Sequence, residues 1–218
     1  MNILEKSVLF GKETLLLTNQ RAIFWAEQRM LILSDLHVGK AAHFRKSGIA
    51  LPHQVTEKDL DRLRALITYY EPSSVLIAGD LLHAGVNNEV PMLTKLIASF
   101  PQVDFVLVRG NHDRLSSELF SQIGVRVIDE GFQVNGITFS HGHQPALEDA
   151  FTICGHYHPG VHVAVGRKSS MRFPCYVITN HRLILPAFSL FSGLDTRCVP
   201  QGANCYAIYE DGFFQVSC

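Results

Sequence analysis

The stretch LILSDLHVGK, residues 31–40, ends an apolar run with Asp35 and His37 two positions apart. Side chains at i and i+2 of a strand point the same way. The carboxylate and the imidazole are therefore either two ligands of one metal ion, or a capping Asp beside a surface His. The pattern recurs along the chain. SVLIAGD ends in Asp80, VLVRGNHD in Asn111, His112 and Asp113, and ITFSHGH in His141 and His143, while FTICGHYHP carries His156 and His158. Each apolar run thus hands over to an oxygen or nitrogen donor. Taken singly, Asp80 could cap a helix, Asn111 could sit in a turn, and each histidine could be a satisfied polar group. Taken as a set, the residues offer oxygen and imidazole without thiolate, which suits manganese, iron or zinc.

The elements that must position these donors show two periods. TEKDLDRLRALITYY carries Leu60, Leu63, Ile67 and Tyr70 on one helical face, with Thr56 and Asp59 spaced as an approximate capping box. VPMLTKLIASF places Leu93, Leu96, Ile97 and Phe100 on one side in the same way. Between them, MLILSD, SVLIAGD and DFVLVRGN are short continuous apolar runs, the signature of strands buried on both faces. Strand and helix in alternation imply a parallel sheet, and ligands bind such sheets at the carboxyl ends of the strands. The donors are therefore expected to converge.

ETLLLT and RAIFWA, separated by Asn19-Gln20, read as a hairpin leading into MLILSD. A short helix in LSSELFSQIG and a strand in VRVID follow the parallel core. FQV and ITFS then flank Asn135-Gly136, and YAIY and FFQV flank Asp211-Gly212, both two-residue hairpin signals. The second half is expected to be mainly antiparallel, with GRKSS at 166–170 as an exposed loop. No linker is long or polar enough to mark a boundary. The expectation is one domain over residues 1–218, of α/β class, with two sheets packed on each other and helices outside.

Composition narrows the function classes. At 218 residues and 47% hydrophobic, the chain can bury a large core. No run approaches the roughly 18 apolar residues of a membrane span, and Glu5 and Lys6 interrupt what would have to be a signal segment. A cytoplasmic location without a membrane partner is expected. A net charge of −1 provides no global field for nucleic acid, so a polyanion would need a local site. Cys154, Cys175, Cys198, Cys205 and Cys218 form no CxxC pair and are odd in number, so they read as reduced fillers, Cys154 as a small buried hydrophobe. His43, His53, His83, His162 and His181 lie outside the donor series and read as structural or exposed.

In order, DLH, GD, GNHD, SHGH and GHYH resemble the motif series of the calcineurin-like metallophosphoesterases. The resemblance implies a two-sheet β-sandwich flanked by helices (α/β/β/α) and a site for two divalent metal ions. It implies that Asp35, His37 and His158 hold one metal, that Asn111, His141 and His156 hold the other, and that Asp80 bridges them. His112 matches the catalytic histidine of the family, with Asp113 as a candidate partner that orients it. Two cations about 3.5 to 4 Å apart clamp the attacking and leaving oxygens of an in-line displacement, and His112 would protonate the leaving oxygen or stabilise charge.

DLHVGKAAHFRKSGIALP, with GDLLHA, RGNHDR, SHGHQP and GHYHP, is further similar to the bacterial ligase-associated DNA damage response endonucleases. That likeness implies manganese-dependent cleavage of single-stranded DNA, with a DNA ligase and a helicase of a repair cluster as partners. Lys40 and Arg45 are the candidate phosphate contacts. Together with His43, Phe44 and Lys46 they pair cations with an aromatic ring, as a strand requires, or else form a solvated helix face with Phe44 in the core. Two other functions remain in competition. One is the same chemistry on a small nucleotide or phosphomonoester, and the other is a binding module without turnover, against which the intact set including His112 weighs.

Overall fold

The computed structural model describes residues 2–49, 54–83, 88–129, 131–142, 150–164 and 169–217. Its first sheet has seven strands in sequence order: β1 (Glu5–Phe10), β2 (Glu13–Thr18), β3 (Ile23–Trp25), β4 (Met30–Leu33), β5 (Ser74–Ala78), β6 (Asp104–Val108) and β7 (Val125–Ile128). β1 to β4 pair antiparallel through tight turns, and β4 to β7 pair parallel. Helices return the chain between the parallel strands, because such strands need a crossover. α1 (Lys40–Lys46) and α2 (Gln54–Tyr70) follow β4, α3 (Val90–Ala98) follows β5, and α4 (Ser117–Gln122) follows β6.

The continuous apolar runs have partners on both faces. β4 and β5 turn Leu31, Leu33, Val75 and Ile77 toward Leu60 and Leu63 of α2, Leu93 and Leu96 of α3 and Phe120 of α4. Their alternate residues Met30, Ile32, Leu76 and Ala78 join Ile137, Phe139, Ile153 and Leu183 of the opposing sheet in a second cluster. That opposing sheet contains β8 (Phe132–Val134), β9 (Ile137–Ser140), β10 (Phe151–Cys154), β11 (Gly160–Ala164), β12 (Ser170–Ile178), β13 (Arg182–Ile184), β14 (Asn204–Tyr209) and β15 (Gly212–Ser217). The strand order is β15-β14-β12-β13-β10-β9-β8, with β11 paired to β12. Cys154, Cys175 and Cys205 are free, fully buried and packed with Val161 and Ala203 in a third cluster.

The expected two-sheet sandwich is what the chain builds, and several details differ. β1 is an additional strand, paired with β2 along its whole length. Only its Val8 and Phe10 turn inward while Leu9 is exposed, so the alternation is too short to stand out. α2 begins at Gln54, which puts Thr56 inside the helix; its hydroxyl donates to Glu89 Oε2 at 2.6 Å and caps nothing. Phe100 lies past the end of α3. The last hairpin turns on Glu210-Asp211, with Tyr209 opposite Gly212. β10 is parallel to both β9 and β13, so the second half is mixed. Ala50 to His53, His143, residues 166–168 of the GRKSS loop and Cys218 lie outside the described residues.

A buried ionic group ties α2 to the segment after β13. Arg62 and Asp59 pair at 3.0 Å with 9% and 2% exposure, and the guanidinium lies 4.1 Å over the Phe188 ring while donating to the Phe188 carbonyl. Asp59 also accepts from Leu190 N–H, and Arg21 donates to the carbonyls of Ala187 and Ser189. The strap so held donates from Phe188 and Ser189 to the carbonyls of Ser34 and Asp35. It therefore fixes the end of β4. Arg62→Ala would leave Asp59 buried and unbalanced, and denaturant unfolding is expected to show a loss of about 3–5 kcal/mol. Asp59→Asn with Arg62→Met removes both charges, keeps an acceptor for Leu190, and should lose less.

Candidate metal centre

β4 and β5 keep exchanging backbone hydrogen bonds after their regular strands end. Asp35 N–H donates to Gly79 O at 3.0 Å, His37 to Asp80 O at 2.9 Å and Val38 to Leu81 O at 2.9 Å, and His83 N–H returns to Val38 O at 2.9 Å. Within this ladder the chain bends sharply. Asp35, His37 and Asp80 have φ of 56°, 50° and 53°, and beyond β10 His156 and His158 have 75° and 47°. Non-glycine residues in this left-handed region cost about 1–3 kcal/mol each and persist only where the surroundings impose them. Five of the nine such residues described lie here, which marks the strand ends as a functional site. Gly79 and Gly155 make the approach possible. A Cβ on Gly79 would fall within the His141 ring, and one on Gly155 would press on Ser34 and Asp35 Oδ2.

The side chains gather in two groups that share a carboxylate. In the first, His158 Nε2 lies 3.1 Å from Asp35 Oδ1 and 3.3 Å from His37 Nε2. In the second, His141 Nε2 lies 3.0 Å from Asn111 Oδ1, 3.1 Å from His156 Nδ1 and 3.3 Å from Asp80 Oδ2. The same Asp80 oxygen is 4.0 Å from His37 Nε2, so it reaches toward the first group as well. Asp35, His37 and His158, and separately Asp35, Asp80 and His141, are spaced closely enough to hold an ion. All seven donor residues of the sequence series thus converge, from β4, β5 and β6 of one sheet and β9 and β10 of the other.

The donor chemistry fits divalent cations. His141 Nδ1 faces the Ala78 carbonyl at 3.0 Å, which can only accept, so that nitrogen carries the proton. The Nε2 of the neutral ring then directs a lone pair at a carboxylate oxygen, an amide oxygen and another ring nitrogen. Electron-rich atoms at these distances need a positive charge between them. Protonation follows the same demand, because ligands must be deprotonated. Burial drives His37 down to about 3 against the pull of Asp35 and Asp80. Burial opposes ionisation of Asp80, but the His141 hydrogen bond and charge, with the His112 N–H, hold it at about 2. Asp35 is fully buried, yet His158, His141 and His37 keep its pKa below the usual carboxylate range.

Around the donors, the remaining sequence candidates part company. His112 is half-buried, its N–H donates to Asp80 Oδ1 at 3.0 Å, and its ring stands edge-on to His37 with centroids 5.7 Å apart. Asp113 does not orient it. The Asp113 carboxylate accepts instead from the backbone N–H groups of Asp80 at 2.8 Å, Gly110 at 2.9 Å and Leu82 at 3.0 Å, and so clips the loops after β5 and β6 together. Lys40 is half-buried; burial lowers its pKa while Asp35 and Asp80 oppose the change. Arg45 has a different task from the expected phosphate contact. It pairs with Glu89 at 2.6 Å, and Glu89 also accepts from Gly39 N–H and Thr56, which anchors α1. Phe44 packs edge-on against Phe191.

His83 was passed over in the sequence and belongs to this site. It stacks on His112 and meets His37 edge-on. Its signal was the position three residues after Asp80, which falls outside a search at strand period two.

The family model described as calcineurin-like phosphoesterase matches residues 28–181, a span that contains every donor described above. The family uses divalent metal ions. The crystal structure of Pseudomonas putida nuclease MPE is similar to this chain with a TM-score of 0.83 and 25% identity, over 98% of this chain and 100% of that one. Yfce, a phosphoesterase from E. coli, is similar at a TM-score of 0.45 and 17% identity, over 86% of this chain and 98% of that one. No curated protein sequence matches.

The Asp113 clip is testable apart from chemistry. Asp113→Ala would orphan three backbone donors, two of them on residues that are buried, and unfolding stability is expected to fall by about 3 kcal/mol or more. Manganese affinity, read by calorimetric titration, should fall with it because the Asp80 turn loosens. Unchanged stability would mean that Asp113 serves His112 alone.

Proposed function

The chain belongs to the calcineurin-like phosphoesterase family, and on that premise we propose that it is a two-metal phosphodiesterase that cuts single-stranded DNA internally. The observation that carries the reading is the likeness to nuclease MPE, at 25% identity over 98% of this chain. In this reading Asp35, His37 and His158 hold one divalent ion, Asn111, His141 and His156 hold the other, and Asp80 serves both. Manganese is the proposed metal. When bound, such ions neutralise phosphate charge and clamp the entering and departing oxygens.

The chain's own residues do the rest. Asn111 supplies a neutral oxygen, which limits the negative charge that an anionic phosphodiester must approach. Lys40, in the field of Asp35 and Asp80, meets a backbone phosphate. His112 has its backbone fixed by Asp80, and its half-buried ring delivers a proton to the leaving oxygen. Asn111 is exposed and His112 is within reach of solvent, which supports entry of the middle of a strand as well as its end. The proposed setting is the cytoplasm, in a repair cluster with a DNA ligase and a helicase.

With manganese, the purified protein is expected to convert a single-stranded DNA circle to linear product. A circle left intact at high enzyme, with hydrolysis of a nitrophenyl phosphomonoester, would assign a small substrate and overturn the endonuclease reading. His112→Ala is expected to keep two metal equivalents and to lose about 10² to 10⁴ in turnover on DNA. On bis-nitrophenyl phosphate the loss should be far smaller, because nitrophenolate leaves without a proton. Equal losses on the two substrates would remove the acid role.

A further inference from the structure

A general acid works only from a fixed angle, and among the described residues the His112 ring makes no hydrogen bond that would fix one. Its orientation therefore depends on what packs against it. Asp113 is committed to three backbone donors and is out of the question. His37 meets the ring edge-on, at an interplanar angle of 84°. His83 alone among the described rings lies flat on it, with centroids 5.1 Å apart and planes 26° apart.

His83 is itself held on several sides. Its N–H donates to Val38 O at 2.9 Å, and the preceding residue, Leu82, is bonded to Asp113 at 3.0 Å. Its ring meets His37 at 5.7 Å and His43 at 5.4 Å, both edge-on. A flat surface that cannot turn is thus pressed against a ring that otherwise could.

We propose that His83 is a positioning residue for His112, holding the imidazole by face-to-face stacking at the angle from which it protonates the leaving oxygen. The proposal rests on the reading of His112 as the proton donor. The role needs a planar face and not a ring nitrogen. His83 Nδ1 is in fact buried without a partner, so a phenyl ring should be tolerated and should fold at least as well.

The experiment compares His83→Ala, His83→Phe, His112→Ala and the His83→Ala/His112→Ala double variant, each with manganese content, thermal midpoint, and kcat and KM on single-stranded DNA and on bis-nitrophenyl phosphate. His83→Ala is expected to keep both metals and KM while kcat on DNA falls about 10- to 100-fold, the size of a small misplacement of a catalytic group, with little change on the nitrophenyl ester. His83→Phe should recover most of that loss. The double variant should be no worse than His112→Ala, since a residue acting only through His112 has nothing left to position. Loss of metal in His83→Ala, failure of Phe to rescue, or multiplying losses in the double variant would overturn the proposal. If His112→Ala kept normal turnover on DNA, the acid reading itself would fail first and the positioning role with it. If His112→Ala lost turnover as expected and His83→Ala did not, only the positioning role would fail.

Discussion

Electron-rich atoms forced within about 3 Å of one another are the constraint around which this protein is built. Two pairs of imidazole nitrogens and the oxygens of Asp35, Asp80 and Asn111 face each other at 3.0 to 4.0 Å. Left to itself, such a set would spread apart. It is held by three devices, each paid for in local stability elsewhere in the fold. The first is backbone strain, with five residues in the left-handed region at about 1–3 kcal/mol each. That total is comparable with the net stability of an ordinary domain, about 5–15 kcal/mol. The second is the Asp113 carboxylate, which turns three N–H groups inward and closes the loops that carry Asp80 and Asn111. The third is the strap through Phe188 and Ser189, which grips the backbone of Ser34 and Asp35 and is held in turn by Arg62 and Asp59.

These supports are rigid because the sheets behind them are saturated. Every second residue of β4 and β5 packs under the helices and every other one against the second sheet, with no exposed side to relax toward. Interiors packed at crystal-like density transmit strain. The same rigidity reaches α1, where Glu89 gathers Gly39, Arg45 and Thr56 at one carboxylate and so fixes the turn from which Lys40 projects.

The strand ends and their donors were legible in the sequence because the relevant periods are short. An apolar run followed by Asp, Asn or His can be read within seven residues, and the parallel order brings such ends to one side. What could not be read was which distant group would claim each side chain. Arg45 looks like a phosphate contact until Glu89, 44 positions away, takes it. Asp113 looks like a partner of its neighbour until the folded loops present N–H groups from Asp80 and Leu82. His83 looks idle until the ladder beyond β4 and β5 brings it under His112. β1 was missed for a simpler reason, since two inward residues in six are too few to declare an alternation.

The donors come from both halves of the sandwich. Asp35, His37, Asp80 and Asn111 follow strands of one sheet, and His141, His156 and His158 follow strands of the other. A cation seated among them is therefore a reversible crosslink at one end of the seam between the sheets. It can form only after both sheets have assembled and met, since its donors are separated by up to 123 positions. An ion bound by the native state and not by the unfolded chain stabilises by mass action. The resistance of this fold to unfolding is thus linked to the concentration of free divalent metal around it, and chelation would loosen the sandwich at the end where its chemistry resides.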